Sequence, residues 1–245
     1  MRKKRIMWID IAKGLTLILV VLGHTLRTGF VRNMVYSFHV PCFFFLSGMV
    51  ANEELSTEII CKDAKRILIP YYSFGLISIA IYGVLGPVAT ASFNMNSDSI
   101  WENIGKLLYG YPVLKFNAPL WFLPALFAVK IIYKLAYKLL NGDNHRMLCF
   151  AIIGSVISFC YTNLDLVGLP FSLDLVLKLF PFFLAGKFLA PRLNDIGSTP
   201  QCTQQCLILG AIMLIATCVL GGVCPPVNYN NNQFPSPVGF NSLLC

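Results

Sequence analysis

The sequence predicts an all-α membrane protein built as a polytopic bundle of transmembrane helices. Hydrophobic residues make up 56% of the 245 residues and charged residues 12%, about half of the charged share found in soluble domains. The mean hydropathy is +0.68, and apolar runs long enough to cross a bilayer recur along the chain. Because we find neither an internal repeat nor a soluble domain, we expect residues 1–245 to form a single membrane domain.

The apolar runs predict about seven helices, because about 20 apolar residues cross the hydrocarbon core. They occur near positions 7–26, 34–51, 67–89, 119–138, 147–164, 171–190 and 204–224. The second run is short and contains Pro41 and Gly48, so we expect a kinked or partly re-entrant helix there. The composition of residues 90–118 predicts an external loop with one short interfacial helix. The polar tail at 225–245 is expected to lie outside the cytoplasm.

Basic residues predict how the chain crosses the membrane. The charged start at 1–5 precedes a run that is too long for a cleaved signal peptide and has no cleavage site, which indicates a retained signal anchor. A cytoplasmic N-terminus places ten basic residues inside and four outside, in agreement with the positive-inside rule. The four external residues are Arg27, Arg32, Lys106 and Lys115. The net charge of +8 therefore reflects membrane topology, and we expect no nucleic-acid partner.

Three ionisable residues interrupt the first apolar run and share one stripe of the predicted helix. At about 100° per residue, Lys13 lies about 60° and His24 about 40° from Asp10. Asp10 and His24 are about 21 Å apart along the helix axis. Ionisable groups in hydrocarbon are costly and mark function, and a histidine at the water-facing end of a bundle can act as a general base. A second histidine, His39, opens the next run.

Other readings remain open at this point. The polar stripe could line the solute path of a transporter or flippase, without covalent chemistry. The basic trio Lys62, Lys65 and Arg66 suits the phosphates of a cytosolic cofactor, but it also suits topology signals or lipid headgroups. The nine cysteines form no closely spaced Cys/His set, so we expect no metal site.

Four segments then identify a family resemblance when they are taken together and in order. They are Ile9–Gly14 with Val20–His24, Ser37–Gly48, Lys65–Tyr71 and Pro119–Leu123. A fifth segment, Phe182–Gly186, is a weaker match. With them, the chain resembles the integral-membrane acyltransferase-3 family, the group that contains fucose 4-O-acetylase-like membrane O-acyltransferases. The resemblance covers about residues 6 to 233.

The resemblance implies an enzyme that moves an acyl group, usually acetyl, from acyl-CoA to a hydroxyl of an extracytoplasmic carbohydrate or cell-envelope glycan. His24 matches the family's essential helix-one histidine, and His39 matches a histidine of the second helix. Asp10 matches a charged position of helix one. The predicted catalytic set is therefore His24, His39 and Asp10, within a lipid bilayer and without a metal.

Further residues are predicted to bind the two substrates. The expected contacts to the acyl-CoA donor are Lys65, Arg66 and Lys13, the last of which also matches a charged position of helix one. The expected acceptor contacts are Arg27, Arg32 and Trp121. Trp121 could equally anchor its helix at the membrane interface, as tryptophans commonly do.

One departure from the family pattern concerns the C-terminus. Members resembling this chain usually continue to about ten spans, whereas the sequence ends after the tail at 225–245. We therefore expect a chain that lacks C-terminal helices. Such a chain could be inactive, or it could need a partner that supplies them.

Overall fold

A computed structural model describes residues 6–26, 30–93, 99–110, 115–164 and 168–194, and it is helical throughout, with no strand among these residues. The helices are α1 (Met7–Thr25), α2 (Phe30–Met49), α3 (Thr57–Phe93), α4 (Ile100–Tyr109), α5 (Phe122–Leu139), α6 (Asn144–Asn163) and α7 (Leu173–Asn194). Short 3₁₀ turns at Lys115–Trp121 and Pro170–Ser172 precede α5 and α7. The predicted all-α fold is confirmed.

Four helical segments within the described residues are long and apolar enough to cross a membrane. They are Met7–Thr25, Thr57–Ile81, Pro119–Leu139 and Asn144–Thr162. The second and sixth predicted runs also form helices, α2 and α7, but these are not among the four segments. In α7, for example, Asp174, Lys178 and Lys187 interrupt the apolar sequence. The predicted seventh run at 204–224 and the tail lie outside the described residues.

The third helix is longer at both ends than its apolar run predicts. It begins at Thr57, where the Ser56 carbonyl accepts from the Ile60 N–H at 3.0 Å and the Ser56 hydroxyl from the Ile59 N–H at 3.4 Å. Serine is a preferred residue just before a helix for this reason. The basic trio Lys62, Lys65 and Arg66 therefore lies within the first turns of α3.

The predicted short helix between the third and fourth runs is confirmed as α4. The Ser99 hydroxyl accepts a hydrogen bond from the Glu102 N–H at 3.2 Å and caps its start. Gly110 ends it with φ at +73°, a left-handed conformation that glycine adopts without strain.

The described residues form two compact units. The first contains the residues up to Ala51 and those from Pro181 onward, and the second is Asn52–Phe180. In the first unit, α1 packs along α2 through buried positions spaced seven residues apart, and the end of α7 contributes to the same core. These buried residues of α1 are Ile9, Thr16 and Gly23, and the core includes Ile9, Leu46, Met49 and Ala190.

Two glycines let α2 and the end of α7 approach closely within the first unit. A Cβ atom at Gly48 would overlap the Phe183 carbonyl oxygen, and one at Gly186 would overlap the Phe45 carbonyl oxygen. Close backbone contact through small residues is a common way for membrane helices to pack. Gly48 and Gly186 therefore lie where the two helices pack most closely.

The second unit packs α3, α4, α5 and α6 with the first turns of α7. Its core includes Tyr71, Ile79, Leu107 and Leu120, and the Tyr71 hydroxyl donates to the Leu107 carbonyl at 2.7 Å. Buried polar groups in this unit are hydrogen-bonded, as burial requires. An example is Lys178, whose Nζ donates to the Thr162 hydroxyl at 2.7 Å.

Candidate functional site

His24 lies at the C-terminal end of α1, one residue before the helix stops at Thr25. The Leu22 carbonyl accepts hydrogen bonds from both the Leu26 N–H at 3.1 Å and the Thr25 hydroxyl at 2.9 Å. The His24 side chain is exposed, whereas Gly23 is buried. The imidazole is therefore presented at the rim of the α1–α2 contact.

Tyr36 of α2 holds the His24 side chain. Its Oη atom lies 3.0 Å from His24 Nδ1, and the two rings meet edge to face with centroids 5.4 Å apart. Gly23 permits this approach, because a Cβ atom there would lie only 3.1 Å from the Tyr36 ring. Since Nδ1 faces the tyrosine hydroxyl, Nε2 is the ring nitrogen that remains for another partner.

His39 lies on the other side of the same tyrosine. It is 4% exposed, and its ring centroid is 5.2 Å from that of Tyr36. His39 Nδ1 lies 2.7 Å from the Val35 carbonyl oxygen. Because a carbonyl only accepts, Nδ1 carries the hydrogen and donates it, so in neutral His39 the acceptor nitrogen is Nε2. His24 and His39 are thus linked through Tyr36, which the sequence reasoning missed.

Arg32 completes the group at this end of the first unit. Its guanidinium lies over the Tyr36 ring, with Cζ 4.6 Å from the ring centroid, a cation–π contact. Arg32, Tyr36 and His39 are spaced by four and three residues, which places them on one face of a helix. Three predicted site residues, His24, His39 and Arg32, therefore meet at one tyrosine.

Asp10 and Lys13 lie near the opposite end of α1. Asp10 is in the first turn and exposed, and Lys13 is half-buried. Their stripe runs beside the line of buried residues that faces α2. The remaining predicted residue of the first unit, Arg27, lies outside the described residues.

The other predicted site residues belong to the second unit. Lys65 and Arg66 are exposed in the early turns of α3. Trp121 is 6% exposed and meets Phe122 edge to face with ring centroids 6.4 Å apart. Trp121 therefore packs inside its own unit.

A charged cluster in the second unit was not predicted. Asp63 of α3 accepts from Lys130 Nζ at 2.8 Å and from Lys134 Nζ at 2.6 Å. The Lys134 side chain is 2% exposed, and a buried ammonium needs such a partner. The sequence carried one signal of it, because two lysines four residues apart interrupt an otherwise apolar run.

The described residues contain no group of three His, Cys, Asp or Glu side chains that could hold a metal ion. The arrangement around Tyr36 is instead suited to proton transfer. It combines an exposed imidazole, a hydroxyl that lies against its Nδ1 and orients it, and an adjacent cation.

Comparisons with known proteins identify the family of the chain. The family profile described as Acyltransferase domain, that of the acyltransferase-3 family, matches residues 6–244. The chain is 26% identical over 237 residues to Nodulation protein NolL of Sinorhizobium fredii. The alignment covers 91% of the chain and 59% of that relative, so the chain spans about three fifths of the length of the curated relative it matches. No solved structure matches the chain.

Proposed function

Since the chain belongs to the acyltransferase-3 family and has helices that can span a membrane, we propose that it is a membrane O-acyltransferase. In this proposal it moves an acyl group from acyl-CoA to a hydroxyl of an extracytoplasmic carbohydrate or cell-envelope glycan. We expect the acyl group to be acetyl. The observation that carries the proposal is the contact between His24 Nδ1 and Tyr36 Oη at 3.0 Å. It leaves Nε2 of an exposed imidazole available to an incoming hydroxyl.

His24 is the general base of the proposed reaction. Its Nδ1–H donates to Tyr36 Oη, so that Nε2 accepts the proton of the acceptor hydroxyl as its oxygen attacks the thioester carbonyl. The new carbon–oxygen bond forms and the carbon–sulfur bond breaks. The proton passes from His24 to the departing thiolate, which yields free CoA and returns the imidazole to its neutral form.

The donor is proposed to enter from the cytoplasmic side. Lys65 and Arg66 are exposed near the start of α3, and their cationic side chains bind phosphate oxygens well. Lys13 of α1 is proposed to contact the donor. Asp10, in the same helix, is proposed as a catalytic residue. The buried Trp121 is a weaker candidate for an acceptor contact than Arg32, because it packs within its own unit.

The proposed location is the bacterial cytoplasmic membrane with the N-terminus in the cytoplasm. The charge distribution supports this orientation, with ten basic residues inside and four outside. It places the C-terminal end of α1, and therefore His24, on the external side where a glycan acceptor is available.

The test is acyl transfer in inside-out membrane vesicles that receive labelled acetyl-CoA. We expect label to appear in a glycan product, and we expect His24→Gln to lower the rate by about 100-fold or more, which is the usual contribution of a general base. The matched control is His145→Gln, because His145 is also exposed but lies in the first turn of α6. It should leave the rate unchanged. An unchanged rate in His24→Gln at parental expression would contradict the proposal.

A further inference from the structure

Arg32 places a positive charge beside His24, and among the described residues of its own unit no carboxylate lies near it. Among the described residues of the first unit, Asp10 is the one acidic residue. It lies in the first turn of α1, about 21 Å along the axis from His24. The guanidinium of Arg32 is instead held over the Tyr36 ring at 4.6 Å.

A guanidinium in this position keeps the ability to bind an oxyanion. It has five N–H donors in a planar fork, which matches a carboxylate or a phosphate. The ring contact restricts the side chain and so lowers the entropy that binding would cost. Tyr36 touches both groups, with its hydroxyl on His24 and its ring on Arg32. The proton acceptor and the cation are therefore held in fixed relation.

The charge of Arg32 also bears on the reaction. When His24 accepts a proton, it becomes a second cation beside Arg32, and two like charges at this range repel. An oxyanion on the acceptor, bound at Arg32, would offset that repulsion at the moment when it arises. A neutral acceptor would leave it uncompensated.

We propose that the acceptor is an anionic glycan, and that Arg32 binds a carboxylate or phosphate on the glycan unit whose hydroxyl His24 deprotonates. This inference rests on the proposed function. Two sources share the required chemistry, an acidic sugar and a phosphate-linked sugar, and the experiment separates them.

The test uses the purified full chain in phosphatidylcholine vesicles with labelled acetyl-CoA and a total glycan and glycolipid extract of the bacterial envelope. We expect the labelled product to bind an anion exchanger. Reduction of carboxyl groups in the extract should abolish labelling if the anion is a carboxylate, and removal of phosphate should abolish it if the anion is a phosphate. A labelled product that is neutral would overturn the inference, whereas no labelled product at all would overturn the proposed function instead.

Variants of Arg32 give a second readout. Arg32→Gln should raise the KM for the anionic acceptor about 10- to 100-fold, as expected for loss of a charge-assisted hydrogen bond, and Arg32→Lys should fall between it and the parent. Arg192→Gln is the matched control, because Arg192 is an exposed arginine near the end of α7, and it should leave the KM unchanged. An Arg32→Gln effect that appears only in vesicles with anionic phospholipid would assign Arg32 to lipid contact. Either that result or an unchanged KM would overturn the inference.

Discussion

At the scale of single residues, Tyr36 determines how His24 is presented. The helical arithmetic of α1 predicts the position of His24, because the stripe with Asp10 and Lys13 can be read from residue spacing. It could not predict Tyr36, since a tyrosine in an apolar run is usually an ordinary packing or interfacial residue. The contact depends on which face of α2 meets α1, and that is a property of tertiary packing. The spacing of Arg32, Tyr36 and His39 was the available signal.

Tyr36→Phe tests this positioning role while it keeps the ring contacts with Arg32 and His39. It removes the hydroxyl that lies 3.0 Å from His24 Nδ1, at a cost of about 1.4 kcal/mol, or about tenfold in rate. We expect kcat to fall by about tenfold with little change in KM for the acceptor, because the lost contact orients the base and does not bind substrate.

The control for this variant is Tyr109→Phe. Tyr109 also donates through its hydroxyl, to the Gly168 carbonyl at 2.9 Å, but it belongs to the second unit. It should leave kcat unchanged. If Tyr36→Phe raised KM and left kcat at the parental value, Tyr36 would be a substrate contact rather than a positioning residue.

At the scale of helices, the two sequence segments that carry part of the family resemblance pack directly on each other. Gly48 lies in the segment Ser37–Gly48, and Gly186 lies in the weaker match Phe182–Gly186. Each glycine meets a backbone carbonyl of the opposite helix. The sequence does not predict that α7 is the partner of Gly48, because many glycines in apolar runs could allow the same close packing. Likewise, apolar runs hide the start of α3, since its first turns carry charged residues that a hydropathy criterion rejects.

Gly48→Ala and Gly186→Ala should each destabilise the first unit. Because the added Cβ would overlap a backbone carbonyl oxygen rather than a mobile side chain, the helices must separate, and overpacking of this kind costs about 1–3 kcal/mol. We expect a lower melting temperature in detergent micelles, measured by intrinsic tryptophan fluorescence.

Gly14→Ala is the matched control for the two glycine variants. It lies within α1 with nothing within 4 Å of the added Cβ, and alanine is the better helix former by about 1 kcal/mol. Its melting temperature should equal or exceed that of the parent. A melting temperature of Gly48→Ala or Gly186→Ala equal to that of Gly14→Ala would show that α2 and α7 do not touch at these glycines.

At the scale of the whole molecule, the length of α3 bears on membrane topology. It contains 37 residues, about 55 Å of helix, which exceeds the hydrocarbon core of about 30 Å. We therefore predict that its basic early turns and its C-terminal end, which precedes α4, lie on opposite sides of the membrane. The distribution of basic residues along the sequence predicts this arrangement. The seventh predicted run cannot be compared with the structure, because it falls outside the described residues.

Cysteine labelling tests the predicted orientation on the full chain. Glu102→Cys introduces a thiol on α4, where the parent side chain is 56% exposed, and Lys138→Cys introduces one at the exposed end of α5. Because the positive-inside rule places the basic start of α3 in the cytoplasm, Glu102→Cys should gain one membrane-impermeant maleimide in intact cells. Lys138→Cys should gain it only after permeabilisation. Mass spectrometry of each variant beside the parent corrects for labelling of the native cysteines. The opposite labelling pattern would show the reverse topology, in which His24 lies on the cytoplasmic side, away from any external glycan.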